Sequence, residues 1–370
     1  MSATALADIV GVSRQSITYY ESGVSTPQPE VLTAISGVLS MPERYFLSEF
    51  DPVEAPAIHF RALKKTPKKA RQSARIKTTW VARLTRHVEK YVDLPRVFVP
   101  GLEGVDPRTL SNSDVDQIAE EVRAKWGLGD GPISNLCLLM ENNGIVVSRF
   151  PLSHEAISGF SLWEAHSDRP FVTVNNRRSS SSRSRFDAAH ELGHMVMHRG
   201  ITERDQRDRG LYDLMEAQAH RFASSFLMPT SSFLRDFSYP SLSAFEALKK
   251  KWKTSIKAMI YKSKHIGLLD SSMERQLYIE YNSAYPVTEP YDDEIEPEEP
   301  RLLRRSVHLL VGEGLLSQEK LSQEIAVSSS EISQLASIDW AEVGKPRHRL
   351  RSGLDLAPER STRSRHNDLG

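Results

Sequence analysis

The most informative stretch of the chain is residues 186–198, which read FDAAHELGHMVMH and contain the pattern His-Glu-x-x-His. The segment predicts a helix, and because a helical turn takes about 3.6 residues, His190 and His194 project from one face about a turn apart. Two imidazoles in this arrangement can bind one tetrahedral zinc ion. Glu191 lies beside them and can act as general base toward a water activated at the metal. The pattern therefore predicts a catalytic zinc site.

A third ligand is required, and two residues are candidates. His198 lies another turn along the same helix, too far to complete a tetrahedron, so we interpret it as a group behind the ligands or at the helix end. Glu216, 22 residues after His194, lies in a second helical pattern and fits a carboxylate ligand. Two histidines and a carboxylate with the fourth position open are typical of catalytic zinc sites. His220, one turn after Glu216, is placed to orient a ligand.

These two segments also carry a family resemblance. Residues 185–194 (RFDAAHELGH) and 216–229 (EAQAHRFASSFLMP) resemble the ImmA/IrrE family of zinc metallo-endopeptidases. The resemblance implies one zinc ion per chain, bound by His190, His194 and Glu216, with Glu191 as the base. Asp187 departs from the family pattern, in which a threonine or another small residue is common. The donor that stabilises the oxyanion stays open among Tyr212, His198 and His220.

Three short apolar runs precede this helix, at residues 145–147, 159–163 and 170–175. They predict strands, which we expect to form a small antiparallel sheet packed on the His-Glu-x-x-His helix. An edge strand of this sheet could pair with an extended peptide substrate beside the zinc.

The N-terminus has the spacing of a helix-turn-helix. Residues 6–23 (LADIVGVSRQSITYYESG) and the following helix resemble the XRE family. The exposed residues that would read bases and phosphates are Arg14, Gln15, Ser16 and Thr18, since Arg and Gln offer paired donors to base edges. Met1 falls where such a domain should already have completed its first helix, so we expect DNA binding that is weakened or depends on a dimer. The alternative is a degenerate helical remnant that only packs on its neighbours.

Composition limits the remaining possibilities. The chain has 370 residues, 48 basic and 48 acidic side chains, and a single cysteine, Cys137. One cysteine cannot form an internal disulfide, and neither a signal peptide nor a membrane-spanning stretch is evident. We therefore expect a cytoplasmic protein without a membrane partner.

Charge and proline content divide the chain into five predicted segments. An XRE-like domain over 1–50, with its first helix missing, is followed by a basic linker and helical connector over 51–110. The zinc metallopeptidase domain covers 111–285, and an acidic linker with a C-terminal helical lobe covers 286–340. Residues 341–370 predict a disordered tail. Within the lobe, residues 315–335 weakly resemble another helix-turn-helix, although a small helical cap is the simpler interpretation.

The predicted fold is therefore α+β and mostly helical. The predicted function is a zinc endopeptidase fused to a DNA-binding domain, which cleaves a repressor-type protein and regulates transcription, as the family resemblance implies. The expected partners are a helix-turn-helix repressor as protein substrate, DNA, and a second copy in a homodimer. Two alternatives stay open: an XRE-type regulator whose zinc is structural or sensory, and one partner of a toxin–antitoxin module.

Overall fold

The described residues form a mostly helical fold with one small sheet at its centre. A computed structural model describes residues 1–47, 58–60 (backbone only), 67–102, 104–154, 157–164, 168–177, 180–202 and 204–345. None of the helices in these ranges is long and apolar enough to cross a membrane. The N-terminal helices are α1 (Ala3–Val10), α2 (Arg14–Glu21), α3 (Pro29–Leu39) and α4 (Glu43–Leu47).

The central part begins with β1 (Ile58–Phe60), α5 (Lys68–Val88), α6 (Asn112–Lys125) and α7 (Leu136–Asn142). The sheet continues with β2 (Val146–Phe150), β3 (Gly159–Glu164) and β4 (Arg169–Asn175). Next come α8 (Ser181–Met197), α9 (Arg209–Leu227), α10 (Thr230–Asp236), α11 (Leu242–Trp252), α12 (Ile256–His265) and α13 (Ser271–Ala284). The C-terminal lobe contains α14 (Leu302–Gly312), α15 (Gln318–Ile325) and α16 (Ser329–Ala336). Most of the predicted disordered tail, residues 346–370, lies outside the described residues.

The sheet is mixed, and the prediction of a purely antiparallel sheet is wrong. Its strand order is β1-β3-β4-β2; β3 runs antiparallel to β4 and to β1, but β2 runs parallel to β4. The chain leaving β2 passes the end of β4 before it enters β3. Asn175 fixes this crossing, because its side chain accepts a hydrogen bond from the backbone N–H of Leu152 (3.2 Å) and donates one to the carbonyl of Ile157 (2.8 Å).

Both faces of the sheet are covered, because alternate side chains of each strand point to opposite sides. Val147, Val172 and Val174 belong to a core that includes α8. The bulkier Phe150 and Phe171 belong to a second core that includes α5 and the C-terminal lobe. Helix α5, which lies in the predicted connector segment 51–110, therefore packs on one face of the sheet.

The acidic segment 286–300, predicted as a linker, contains no helix or strand but forms hydrogen-bonded turns over residues 290–294. It is nevertheless packed, because its carboxylates cap the N-termini of other helices. Glu289 accepts a hydrogen bond from the Ile256 N–H at 2.8 Å, and Glu298 accepts one from the Leu136 N–H at 2.6 Å. The ammonium group of Lys249, which is fully buried, also bonds to Glu289 at 2.8 Å. Negative charge at a helix N-terminus is favourable, so this segment ties α7, α11 and α12 together.

The C-terminal lobe repeats the local geometry of α1 and α2. Each pair consists of two eight-residue helices joined through a left-handed residue, Gly11 (φ 79°) or Ala326 (φ 55°). In both pairs a serine caps the second helix. In the lobe, however, Glu331 of α16 forms an ion pair with Lys77 of α5 at 3.3 Å. The helix pair α15–α16 therefore packs against α5.

The N-terminal helices enclose a small core of their own. Ala7, Ile17 and Ile35 are buried there, whereas Ile9 is 60% exposed. Tyr45 of α4 contacts the ring of Trp80 in α5, with ring centroids 5.9 Å apart.

Candidate metal centre

Two helices bring the three predicted metal ligands together. His190 and His194 lie on α8, and Glu216 lies on α9. The two Nε2 atoms are 3.1 Å apart, and oxygens of Glu216 lie 3.3 Å from His194 Nε2 and 3.6 Å from His190 Nε2. Tetrahedral zinc with bonds of about 2.0–2.2 Å requires ligand atoms roughly 3.3–3.6 Å apart. The two distances to Glu216 lie in this range and the distance between the two Nε2 atoms is about 0.2 Å shorter, so the donor set fits one zinc ion after a small separation of the two imidazoles.

The approach of α8 to α9 depends on Gly193. A Cβ atom at this position would lie 3.0 Å from Cδ1 and 3.2 Å from Cγ of Phe222, closer than ordinary carbon contacts of about 3.5–4.0 Å. On the other side, Ala219 and Ala223 of α9 are fully buried. Within the His-Glu-x-x-His pattern, Gly193 therefore serves the packing of α8 against α9, a role that sequence reasoning missed.

Burial and charge differ among the ligands. The side chains of His190 and His194 are 0% and 1% exposed, whereas that of Glu216 is 22% exposed. Burial by itself raises the pKa of Glu216, but hydrogen bonds and charges from His190 and His194 outweigh burial and hold this pKa well below its usual range. Glu216 is therefore a carboxylate, and the site is accessible on the side of Glu216.

Glu191, the predicted general base, lies directly beneath β3. Its side chain is buried, and the Ser161 hydroxyl donates a hydrogen bond to its Oε2 at 2.8 Å. A Cβ at Gly159 would lie only 3.0 Å from the carbonyl oxygen of Thr173, so glycine relieves crowding against the neighbouring strand, whereas its distance of 3.5 Å from Glu191 Oε1 would be an ordinary contact. Sequence reasoning did not identify Ser161, because its approach to Glu191 depends on how the sheet packs on α8.

The other predicted site residues surround the ligands in different ways. His198 is completely buried at the end of α8, with its Nδ1 2.9 Å from His194 Nδ1. The ring of His220 packs edge-on against that of His190, with centroids 5.2 Å apart and an interplanar angle of 81°. Tyr212 lies one turn before Glu216 on α9 and is half-buried. A role for any of them toward the oxyanion stays a prediction.

A cavity of about 700 Å³ opens beside the metal centre. Its wall includes Phe186, Asp187 and His220, and charged groups of both signs also line it, among them Arg183, Lys257, Glu289 and Asp292. The ring of His220 lies between this cavity and His190.

The residues predicted to read DNA lie together on α2. Arg14, Gln15 and Thr18 are exposed, and Ser16 is half-buried. The N–H and the hydroxyl of Ser16 form hydrogen bonds with the side chain of the capping Ser13 at 3.0 and 2.8 Å. The structure thus leaves Arg14 and Gln15 on the surface.

The family comparisons agree with this architecture. Residues 140–264 match the family model of the IrrE N-terminal-like domain, a peptidase M78 domain, and residues 1–46 match a helix-turn-helix family model. The chain therefore joins an N-terminal helix-turn-helix domain to a central domain of the metallopeptidase type. The predicted resemblances to the XRE and ImmA/IrrE families are confirmed by these matches. No curated protein shows significant similarity to the chain. The predicted segments 1–50 and 111–285 enclose the two matched ranges, and their boundaries stay predictions.

Proposed function

We propose that this protein is a zinc endopeptidase fused to a DNA-binding domain, which cleaves a repressor-type protein and so regulates transcription. The observation that carries the proposal is the open triangle of His190, His194 and Glu216 with buried Glu191 adjacent to it. Structural zinc sites are closed by four protein ligands. Here the ligand set includes no cysteine, and the partial exposure of Glu216 leaves room for water and substrate.

The roles of the protein's own groups follow from their positions. Zinc, when bound, would supply a Lewis acid that polarises the scissile carbonyl and lowers the pKa of water to about 7. Glu191 would accept the proton of the attacking water and return it to the leaving amine. Ser161 would hold the Glu191 carboxylate in position, since a buried hydrogen bond to a charged group is worth about 1.5–3 kcal/mol.

The substrate would bind as an extended strand along β3. In this structure the backbone of Ile58–Phe60 occupies that edge, with His59 opposite Ser161 in an antiparallel register. Since Ser161 contacts Glu191, a peptide in the same register would pass directly over the general base. Substrate would therefore have to replace β1.

The test compares wild type with Glu191→Gln. We expect one zinc ion per chain in both proteins by elemental analysis, and cleavage of a repressor-type protein from the same organism by wild type alone. Glu120→Gln, on the exposed face of α6, is the matched control and should cleave like wild type. The absence of zinc in both proteins would contradict the ligand assignment.

A regulator whose zinc is structural or sensory is the second candidate. It is favoured by one observation, the pairing of β1 with the edge of β3. This candidate predicts that both wild type and Glu191→Gln bind zinc and DNA, and that neither cleaves any repressor-type protein. Arg14→Ala and Gln15→Ala would then abolish repression without affecting zinc content.

A further inference from the structure

A chain of hydrogen bonds runs from the back of His194 to the turn before α6. His194 Nδ1 lies 2.9 Å from His198 Nδ1, and His198 Nε2 lies 2.9 Å from Gln218 Oε1. Gln218 Nε2 donates to the carbonyl oxygen of Pro107 at 2.7 Å. The side chains involved are 4% exposed or less, so these contacts form without competition from bulk water.

The direction of every bond follows from the Pro107 carbonyl, which can only accept. The amide nitrogen of Gln218 must therefore face Pro107, and its oxygen must face His198. An oxygen acceptor requires the proton of His198 on Nε2, and a neutral imidazole then accepts at Nδ1. His194 consequently donates from Nδ1, which leaves its Nε2 to donate to the Glu216 carboxylate at 3.3 Å or, once that proton is released, to bind a metal.

We propose that Gln218 is a positioning residue that acts through His198 to hold His194 in the Nδ1–H tautomer, with Nε2 available for a metal. This inference rests on the proposed function, because it takes the metal to be zinc. A histidine ligand that donates its other N–H to a fixed acceptor is held in both tautomer and ring orientation. His190 differs, since the ring of His220 packs against it.

The first experiment needs no variant. In full-length, metal-free protein labelled with ¹⁵N-histidine, long-range ¹H–¹⁵N spectra report which ring nitrogen of each histidine carries the proton. We expect a proton on Nδ1 of His194, and His198 protonated on Nε2 and not on Nδ1. His194 as the Nε2–H form would overturn the proposal, whether or not the protein binds zinc or cleaves a substrate.

The second experiment removes the acceptor. Gln218→Met keeps the length of the side chain but cannot accept the His198 proton, and we expect the zinc dissociation constant to rise about 10- to 100-fold. Gln218→Glu restores an acceptor and should recover most of this loss. Gln276→Met, the same change on the exposed face of α13, is the matched control and should bind zinc like wild type.

Chelator competition measures these affinities, and circular dichroism confirms that each variant is folded. Wild-type zinc affinity in folded Gln218→Met would overturn the positioning role. A Gln218→Met protein that fails to fold leaves the wild-type tautomer measurement as the deciding result. Absence of zinc binding in wild type would instead contradict the proposed metal centre, while the tautomer measurement would still test the hydrogen-bond chain.

Discussion

Replacing Gly193 by alanine tests whether the contact between α8 and α9 sets the metal centre. The new Cβ would lie 3.0–3.2 Å from three carbons of Phe222, so the helices must separate locally by about 0.5 Å to restore ordinary contact. Overpacking of this kind costs about 1–3 kcal/mol, and the higher helix propensity of alanine offsets about 1 kcal/mol. The metal-free variant should therefore lose up to about 2 kcal/mol of unfolding free energy.

Zinc affinity should fall further than stability. Glu216 lies on the helix that is displaced, and its oxygens are already 3.3 and 3.6 Å from the histidine nitrogens. Since disturbed support of metal ligands costs about 10- to 100-fold in affinity, we expect a loss of about 1.4–2.8 kcal/mol in zinc binding. Chelator competition measures this loss, and urea unfolding of the metal-free protein measures the stability.

Gly37→Ala provides the matched control. Gly37 lies within α3, and its added Cβ would meet nothing within 4 Å, so this variant should keep wild-type zinc affinity and gain up to about 1 kcal/mol in stability. A second variant, Gly193→Ala combined with Phe222→Leu, makes room for the methyl group and should recover part of the zinc affinity. Wild-type zinc affinity in Gly193→Ala would refute the idea that this contact positions Glu216.

Three further predictions concern other parts of the molecule. Ser161→Ala removes the hydrogen bond to Glu191, and we expect kcat to fall about tenfold or more with zinc content unchanged. A steady-state assay on a cleavable substrate measures kcat and KM, and a change in KM alone would contradict this prediction. Burial lowers the pKa of Lys262 from 10.5 to about 8, so between these pH values the unfolded chain binds a proton that the folded chain does not. Stability should therefore rise with pH across this window by up to about 3 kcal/mol, and urea unfolding of Lys262→Met should show a correspondingly smaller rise; equal slopes would contradict the assignment. Arg14→Ala should weaken binding to DNA selected by the wild-type protein by about 1–3 kcal/mol at fixed salt, as measured by fluorescence anisotropy, and unchanged affinity would exclude α2 as the reading helix.

Local patterns allowed much of the site to be predicted from the sequence. The spacing of His190 and His194 follows from the helical period, and so does the prediction that both face one metal. Glu216 was predicted from residue type and helical context, and it lies within ligand distance of both histidines. The positions of the three strands and of the α2 helix were also predicted, because short apolar runs and serine caps are short-range signals.

Other features depend on residues far apart in the sequence. Pro107 and Gln218 are separated by 111 residues, and nothing in either local pattern indicates that they meet. Similarly, the parallel pairing of β2 with β4 depends on how the chain crosses at Asn175. The acidic segment was predicted as a linker because its carboxylates lie among four prolines, yet Glu289 and Glu298 cap helices that are distant in the sequence.

The sequence by itself predicted the chemistry: the helices that carry the His-Glu-x-x-His pattern and Glu216, the side chains proposed to bind a metal, and the carboxylate proposed to act as base. These properties depend on backbone periodicity and residue type within about two helical turns. The tertiary structure alone decided strand order, the closeness of α8 to α9 at Gly193, the strand that covers β3, and the acceptor that fixes the tautomer of His194. These depend on which surfaces pack together after distant segments meet, and that choice is made by burial and hydrogen-bond satisfaction across the whole core.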